Sequence, residues 1–258
     1  MSSPDRSAAF RQERAELLAF CANLGPDDWH ADSAAPGWRI QDVVAHMGSA
    51  CHAIFSPSEQ KLLQGNNIER SNDLLVDARR EWTADRAVRE YRRYSRLVGA
   101  VLGAVAHSPL ASRPRPLAEL VQFPMRLFLS AMVFDYHTHL RHDMAPALGL
   151  PAPATDANRM AVALEWMMAV LSNQLRAASQ PWLNRPIAIL LAGPGGGRWV
   201  FGSAGALAPD VKAAVEISGL TTEFPAWGTR RMRWRAADVA VAGDEEYGAA
   251  FLDQLNVV

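Results

Sequence analysis

Three side chains in this sequence have the types and spacing of a metal site built on two helices. Asp135 and His139 are four residues apart, so they share one face of a helix. Imidazole nitrogens and carboxylate oxygens bind zinc and related divalent metals, and a catalytic site usually has three protein ligands and one open position. The third ligand must come from another helix. His46 is the best candidate, because it interrupts the apolar stripe of residues 40–47.

Each half of this cluster also has a simpler interpretation. A histidine on an apolar helix face, such as His46, is more often a hydrogen-bonded core side chain than a ligand. The segment after Asp135 is rich in histidine, and histidine near a helix C-terminus is favourable through the helix dipole alone. Two ligand sets stay open: His46 with Asp135 and His139, or His46 with His139 and His142.

The elements that must position these residues are predicted to be helices. Apolar residues recur at helical spacing through the first two-thirds of the chain, and Gly or Pro marks several of the helix ends. The predicted helices cover residues 8–21, a stretch from Ile40, residues 77–106, a stretch from Pro124 to Asp143, and residues 156–178. A polar connection over residues 64–72 and a Pro/Arg/Ser linker over residues 109–116 separate them.

The sequence pattern changes after Pro181, where short apolar runs alternate with turn residues. Gly193–Gly197 precedes a strand, so it is predicted to be a hairpin turn and not a phosphate-binding loop. Strands are predicted at residues 187–191, 198–202, 214–217 and 238–241, and helices at residues 221–230 and 245–255. The predicted fold class is mainly α with a small α+β tail: a helical bundle over residues 1–180 and a small domain over residues 184–258.

The segment Pro36–Met47, PGWRIQDVVAHM, closely resembles a signature of the mycothiol-dependent maleylpyruvate isomerase family, P-G-W-[ST]-x-x-D-V-V-A-H-L. Members of that family are DinB-like metal-binding helical bundles. The histidine of the signature is a metal ligand in the family, and a later E-x-x-x-H supplies two more. The resemblance therefore implies that His46, Asp135 and His139 hold a divalent metal.

The resemblance continues beyond these ligands. An aspartate and an A-L-G ending follow the second ligand pair in the family, and here Asp143 and Ala147–Gly149 match them. Residues 197–202, Arg230 and residues 243–252 resemble the family's sterol-carrier-like C-terminal domain. The likeness thus covers nearly the whole chain, with its most specific part at Pro36–Met47.

Three departures from the family pattern bear on the site. Arg39 replaces the usual Ser or Thr helix cap, which should cost stability rather than chemistry. Asp135 replaces a glutamate, and because the aspartate side chain is shorter, the helix that carries Asp135 must lie closer to the helix that carries His46. The spacing from His139 to Asp143 is one residue longer than the family's H-x-x-D, and a one-residue insertion after His139 would keep the ligand pair intact.

The function implied by the resemblance is a metal-dependent enzyme, with zinc the expected metal and mycothiol as thiol cosubstrate. It would act on a small electrophilic substrate, for example a carboxylate, as an isomerase or an S-transferase. A metal with an open coordination position would bind the thiol of the cosubstrate and lower its pKa, so that a thiolate exists at neutral pH. The alternatives are a metal-dependent hydrolase and a non-catalytic metal-binding or sensing protein. His137, His142 and His52 are candidates for moving protons, with no choice among them.

Composition limits the other classes of function. The net charge of −1 gives no long-range attraction for nucleic acid or an anionic membrane, and only 2 of the 26 basic residues are lysine, which indicates GC-rich coding as in actinobacteria. The N-terminus lacks a signal-peptide pattern and no apolar run is long enough for a membrane span, so a cytoplasmic protein is expected. Oligomeric state is left open. Cys51 is predicted to pack rather than react, and Arg230 to lie at the surface.

Overall fold

The computed structural model describes residues 3–63, 65, 67–178 and 180–257. The chain divides into two compact units, one over Asp5–Ala154 and a second that begins at Thr155. No described helix is both long enough and apolar enough to cross a membrane.

The first unit is a helical bundle, with α2 packed against α5, and α1 packed against both α5 and α6. Side-chain caps from Asp5, Asn67 and Thr83 start α1, α4 and α5 respectively. Its elements are α1 Arg6–Ala22, α2 Ile40–Ala53, α3 Pro57–Leu63, α4 Ile68–Asp77, α5 Ala84–Ala106, the hairpin of β1 Pro114–Pro116 and β2 Gln122–Pro124, and α6 Phe128–Thr138.

The long helix predicted over residues 77–106 is present as α5, but it begins at Ala84 and not at Asp77. Its start is set by the Thr83 side chain, which accepts a hydrogen bond from the Arg86 N–H, and Asp77 is instead the last residue of α4. Much of the predicted polar connection at residues 64–72 is helical in α4, although Gln64 and Asn66 lie outside the described residues. Pro124 ends β2 and a short 3₁₀ turn follows it, so it does not lie in the first turn of α6.

The last part of the predicted fourth helix continues from α6 as a π-helix over His139–Met144. A π-turn holds one more residue than the corresponding α-turn, and such turns often occur at functional sites. The extra residue after His139 is therefore accommodated inside the helix. Asp143 keeps its contact with His139 across this turn, with His139 Nδ1 and Asp143 Oδ2 2.6 Å apart.

The second unit contains a five-stranded mixed sheet with strand order β5-β4-β3-β6-β7. The central strands β3 and β6 are parallel, and the other pairs are antiparallel. Its elements are α7 Ala157–Ala177, β3 Ile187–Ala192, β4 Gly197–Gly202, β5 Gly205–Leu207, β6 Val215–Leu220, α8 Phe224–Gly228, β7 Ala240–Gly243 and α9 Glu245–Gln254. With the bundle, this α+β unit confirms the predicted fold class.

The second unit begins earlier than the predicted domain boundary at residue 180, because α7 packs on β4 and β5. The glycine turn between β3 and β4 lies against the start of α7. A Cβ on Gly195, whose φ is +68°, would be 2.5 Å from the Ala161 nitrogen. The register that pairs Leu191 with Gly197 confirms the hairpin turn predicted there.

Candidate metal centre

The structure brings His46, Asp135 and His139 together inside the helical bundle. His46 lies in the middle of α2, Asp135 near the end of α6, and His139 at the first position of the π-helix. The carboxylate lies between the two imidazoles, with Asp135 Oδ1 3.2 Å from His46 Nε2 and 3.4 Å from His139 Nε2. Among the described residues, these three form the group whose ligand atoms lie close enough together for one metal ion, within 4.8 Å of one another.

The arrangement fits the requirements of a divalent metal. Ligand atoms at the usual zinc distances in a tetrahedral site are separated by about 3.3 Å, which is close to the two distances to Asp135 Oδ1. Asp135 Oδ2 is buried and has no hydrogen-bond partner among the described residues, so that oxygen is available to a cation. His46 and His139 are almost fully buried, while the Asp135 side chain keeps 22% of its surface exposed.

The electrostatics of the group favour a charged pair in the absence of metal. Burial alone lowers the pKa of His139, but its hydrogen bonds to Asp135 and Asp143 outweigh burial and raise that pKa to about 9. Burial raises the pKa of Asp135, yet the neighbouring His46 and His139 hold it well below its usual range. The carboxylate of Asp135 is thus ionised and available for a cation at neutral pH.

Asp143 fixes the orientation of His139. A carboxylate accepts hydrogen bonds, so the 2.6 Å contact places a proton on His139 Nδ1 and directs Nε2 toward Asp135. A carboxylate that holds the other nitrogen of a ligand histidine is common in metal sites, where it selects the tautomer. Asp143 itself is fully buried.

A Pro-Gly turn leads into α2 and places an indole against the two imidazoles. Gly37 has φ of +79°, and the Trp38 N–H donates to the Ala35 carbonyl at 3.1 Å, as in a type II turn with proline before glycine. The Trp38 ring centroid lies 4.9 Å from that of His46 and 6.1 Å from that of His139. Trp38 belongs to the segment Pro36–Met47, but the sequence pattern alone indicates no role for it.

The start of α2 is stabilised in a different way from the usual Ser or Thr cap. The Asp42 carboxylate accepts the Arg39 backbone N–H at 2.9 Å and pairs with the Arg39 guanidinium through two contacts of 3.0 Å. Arg80 adds a further ion pair to Asp42 at 3.1 Å. Arg39 has no acceptor for the helix N–H groups, and the cap is completed by the aspartate three residues later.

The other candidate residues lie outside this group. His142 is not part of the set of clustered ligand atoms among the described residues. Cys51 packs in the core, as predicted, with its sulfur 2.8 Å from the Tyr136 hydroxyl. His52 pairs with Glu90 at 2.9 Å. Arg230 donates to the carbonyls of residues 253 and 255 at the end of α9.

Comparisons with known proteins agree with this architecture. The chain aligns with two solved structures, one of the mycothiol-dependent maleylpyruvate isomerase and one of a histidine-to-alanine variant of it. The TM-score is 0.53 in both cases, at 15% and 14% sequence identity, over 92% of this chain and 91% of each of those chains. At this identity the likeness establishes the fold. No curated protein sequence matches the chain.

A family model gives the more specific assignment. The model described as the mycothiol maleylpyruvate isomerase N-terminal domain matches residues 10–145, more than half of the 258-residue chain. The matched region contains α2, α6 and the π-helix, and with them the whole histidine–aspartate cluster. The chain therefore belongs to the mycothiol maleylpyruvate isomerase N-terminal domain family.

Proposed function

We propose that this protein is a divalent-metal-dependent enzyme that uses mycothiol as a thiol cosubstrate. It either isomerises a small electrophilic substrate or, as an S-transferase, attaches the thiol to that substrate through sulfur. The single observation that carries the proposal is the cluster of His46, Asp135 and His139, held on facing helices within the family domain. Zinc is the expected metal, because two imidazoles and one carboxylate are a common catalytic zinc ligand set that leaves a position open.

The thiol must come from a cosubstrate, because the chain's own cysteines are unsuitable. Burial raises the pKa of both Cys21 and Cys51 to about 12, so both are protonated at neutral pH. A divalent metal at His46, Asp135 and His139 would supply the positive charge that lowers the pKa of an incoming thiol toward neutrality.

The residues of the site have distinct tasks in this scheme. The Asp143 carboxylate holds the proton on His139 Nδ1 and so leaves Nε2 for the metal. Trp38 covers the two imidazoles with an apolar ring and limits the access of water on that side. Asp135 contributes one negative charge, so a divalent metal held by this carboxylate and two neutral imidazoles would keep a net positive charge, which favours a thiolate.

The proposed isomerisation needs no nucleophile other than the thiolate of the cosubstrate. Its sulfur adds to one carbon of a cis double bond conjugated to a carbonyl, and the electron pair moves to the carbonyl oxygen as an enolate. The resulting single bond rotates, the enolate collapses, and the carbon–sulfur bond breaks to release the trans product and the thiolate. S-transfer would differ only at the end, where the enolate would take up the proton that the thiol lost on forming the thiolate, and the conjugate would be the product.

Metal content tests the ligand assignment directly. Purified protein dialysed without added metal should contain about one equivalent of divalent metal by elemental analysis. His46→Ala, Asp135→Ala and His139→Ala should each lose it, whereas the matched variant His142→Ala should retain it. Retention by His139→Ala, or loss in His142→Ala, would contradict the ligand set. A parent protein that takes up no metal even after reconstitution would overturn the enzyme proposal.

Thiol dependence tests the reaction class. With metal bound, turnover of an electrophilic cis-unsaturated acid such as maleylpyruvate should require added mycothiol. Turnover without any thiol would identify a metal-dependent hydrolase or a related activity in which the ion activates water. A protein that holds one equivalent of metal but turns over no substrate in a screen with mycothiol would be assigned to metal binding or sensing.

A further inference from the structure

The two imidazoles of the candidate metal centre are supported in different ways. His139 has a carboxylate on its second nitrogen, at 2.6 Å from Asp143. The second nitrogen of His46, Nδ1, is buried and has no hydrogen-bond partner among the residues described by the structure. A ligand histidine almost always donates its other N–H to a carboxylate, carbonyl or water, which sets the ring orientation. Among the described residues, the contacts that can orient His46 are therefore that of Nε2 with Asp135 and the packing of its ring.

Trp38 provides the aromatic packing against this ring. Its centroid lies 4.9 Å from that of His46, with the two planes inclined at 43°. The same indole lies 6.1 Å from the His139 ring, at an angle of 29°. The two imidazoles meet edge to face at 5.1 Å. Trp38 thus contacts both histidines and restrains the one that lacks a hydrogen bond on its second nitrogen.

The indole is itself held from its other side. Trp38 Nε1–H donates to the Asp73 carboxylate of α4 at 3.1 Å. Its backbone is fixed by the Pro-Gly turn and by Ser33, whose N–H and hydroxyl donate to the Trp38 carbonyl at 2.9 and 2.8 Å. The neighbouring Ala34 N–H donates to the Asp143 carbonyl at 2.9 Å, which joins this loop to the π-helix. Both the ring and the backbone of Trp38 are therefore fixed.

We propose that Trp38, fixed by Asp73, is a positioning residue that orients His46 for metal binding through the packing of its ring. This inference rests on the proposed function, because it assumes that His46 is a metal ligand. It predicts that loss of the indole lowers metal affinity and changes ligand geometry, even though Trp38 supplies no ligand atom.

Cobalt titration of the metal-free full-length protein tests the inference, because the visible absorption bands of bound Co²⁺ report ligand number and geometry. Trp38→Ala should bind Co²⁺ about 10–100-fold more weakly than the parent, as for loss of other groups that orient ligand histidines. Trp38→Phe and Asp73→Asn should show smaller losses together with altered band intensities, since the first keeps an aromatic ring and the second keeps the indole.

The second unit offers a closely matched control. Trp234 Nε1–H donates to the Asp253 carboxylate at 2.8 Å, the same pairing as in Trp38 and Asp73 but in the other unit of the chain. Trp234→Phe and Asp253→Asn should therefore bind Co²⁺ with the affinity and spectrum of the parent. Far-UV circular dichroism verifies folding, and if Trp38→Ala does not fold, Trp38→Phe and Asp73→Asn decide the question.

The outcomes separate this inference from the proposed function. If the parent binds Co²⁺ and the folded Trp38 and Asp73 variants match it in affinity and spectrum, Trp38 does not position His46 and the inference is overturned alone. If the parent binds neither Co²⁺ nor Zn²⁺, the metal proposal fails and the inference fails with it. Weaker binding in the Trp234 and Asp253 controls, equal to that in the Trp38 and Asp73 variants, would also overturn it.

Discussion

At the scale of single residues, His139 has a carboxylate near each ring nitrogen. Asp135 and Asp143 together raise its pKa to about 9, despite the opposing effect of burial. In the metal-free protein the imidazole is therefore protonated at neutral pH, and a metal ion bound at the proposed site would displace that proton from Nε2. Metal binding at this site would consequently be coupled to proton release.

This coupling predicts the pH dependence of metal affinity. Below the raised pKa of about 9 the proton competes with the metal, so affinity should increase with pH across the neutral and mildly alkaline range and level off near pH 9. Competition with a chromophoric chelator at several pH values measures this metal affinity. Asp143→Asn removes one of the groups that raise the pKa of His139, so the levelling should occur at lower pH. An affinity that does not change with pH would contradict the coupling.

The two cysteines allow a prediction that is independent of metal. Burial raises the pKa of Cys21 and Cys51 to about 12, and a protonated, buried thiol is a poor nucleophile. A thiol-specific chromogenic reagent should therefore label neither residue in the native protein at neutral pH, and both in guanidinium. Cys21→Ser and Cys51→Ser assign the signals. Rapid labelling of native Cys51 would show that the protein has a reactive thiol of its own.

At the scale of secondary-structure elements, the sequence pattern was sufficient for α1, α2 and α7 but not for the helix that carries the proposed ligands Asp135 and His139. The i,i+4 spacing of Asp135 and His139 fixes a shared helix face whatever follows. The extra residue before Asp143 could be absorbed by a loop or by a π-turn, and apolar periodicity does not distinguish these.

Trp38 was missed as a site residue because its role depends on contacts across the fold with His46, and local spacing does not report such contacts.

The π-helix is anchored to α1 by a buried ion pair, and this anchor should dominate its stability. Arg141 Nη1 lies 2.8 Å from Glu13 Oε2, and the Glu13 side chain is fully buried. Removing one partner leaves the other charge buried, so Arg141→Met should lower the free energy of unfolding by about 3–5 kcal/mol. Urea denaturation followed by circular dichroism measures it.

A double variant and an exposed pair complete that experiment. Arg141→Met combined with Glu13→Gln removes both charges, so its cost should be smaller than the sum of the two single costs. Asp77→Ala breaks the ion pair with Arg80 on the surface of α4, where the two side chains are 50% and 35% exposed. Its cost should stay below about 1 kcal/mol. Equal costs for Arg141→Met and Asp77→Ala would show that burial of the anchor is unimportant.

At the scale of the whole molecule, the division into two units separates the proposed chemistry from the mixed sheet. The three clustered side chains, Trp38 with Asp73, and Asp143 all belong to the unit over Asp5–Ala154. The family model likewise ends at residue 145, within this unit. The sequence pattern placed the boundary near residue 180 because α7 reads as one more amphipathic helix, and periodicity does not show which surface a helix covers.

A fragment of residues 1–154 should therefore fold and bind one equivalent of metal with an affinity close to that of the full chain. Its end point follows from Arg141, which donates to the carbonyls of Pro153 and Ala154 at 2.9 and 3.1 Å, so a shorter fragment loses part of the π-helix anchor.

Elemental analysis measures metal binding by this fragment, and thermal unfolding with and without Zn²⁺ measures its folding and its stabilisation by the metal. His46→Ala in the same fragment is the control. Binding by a ligand present only in the folded state raises the unfolding temperature, so the parent fragment should be stabilised by Zn²⁺ and the control should not. A fragment that aggregates or binds no metal, beside a full chain that does, would show that the centre needs residues beyond Ala154.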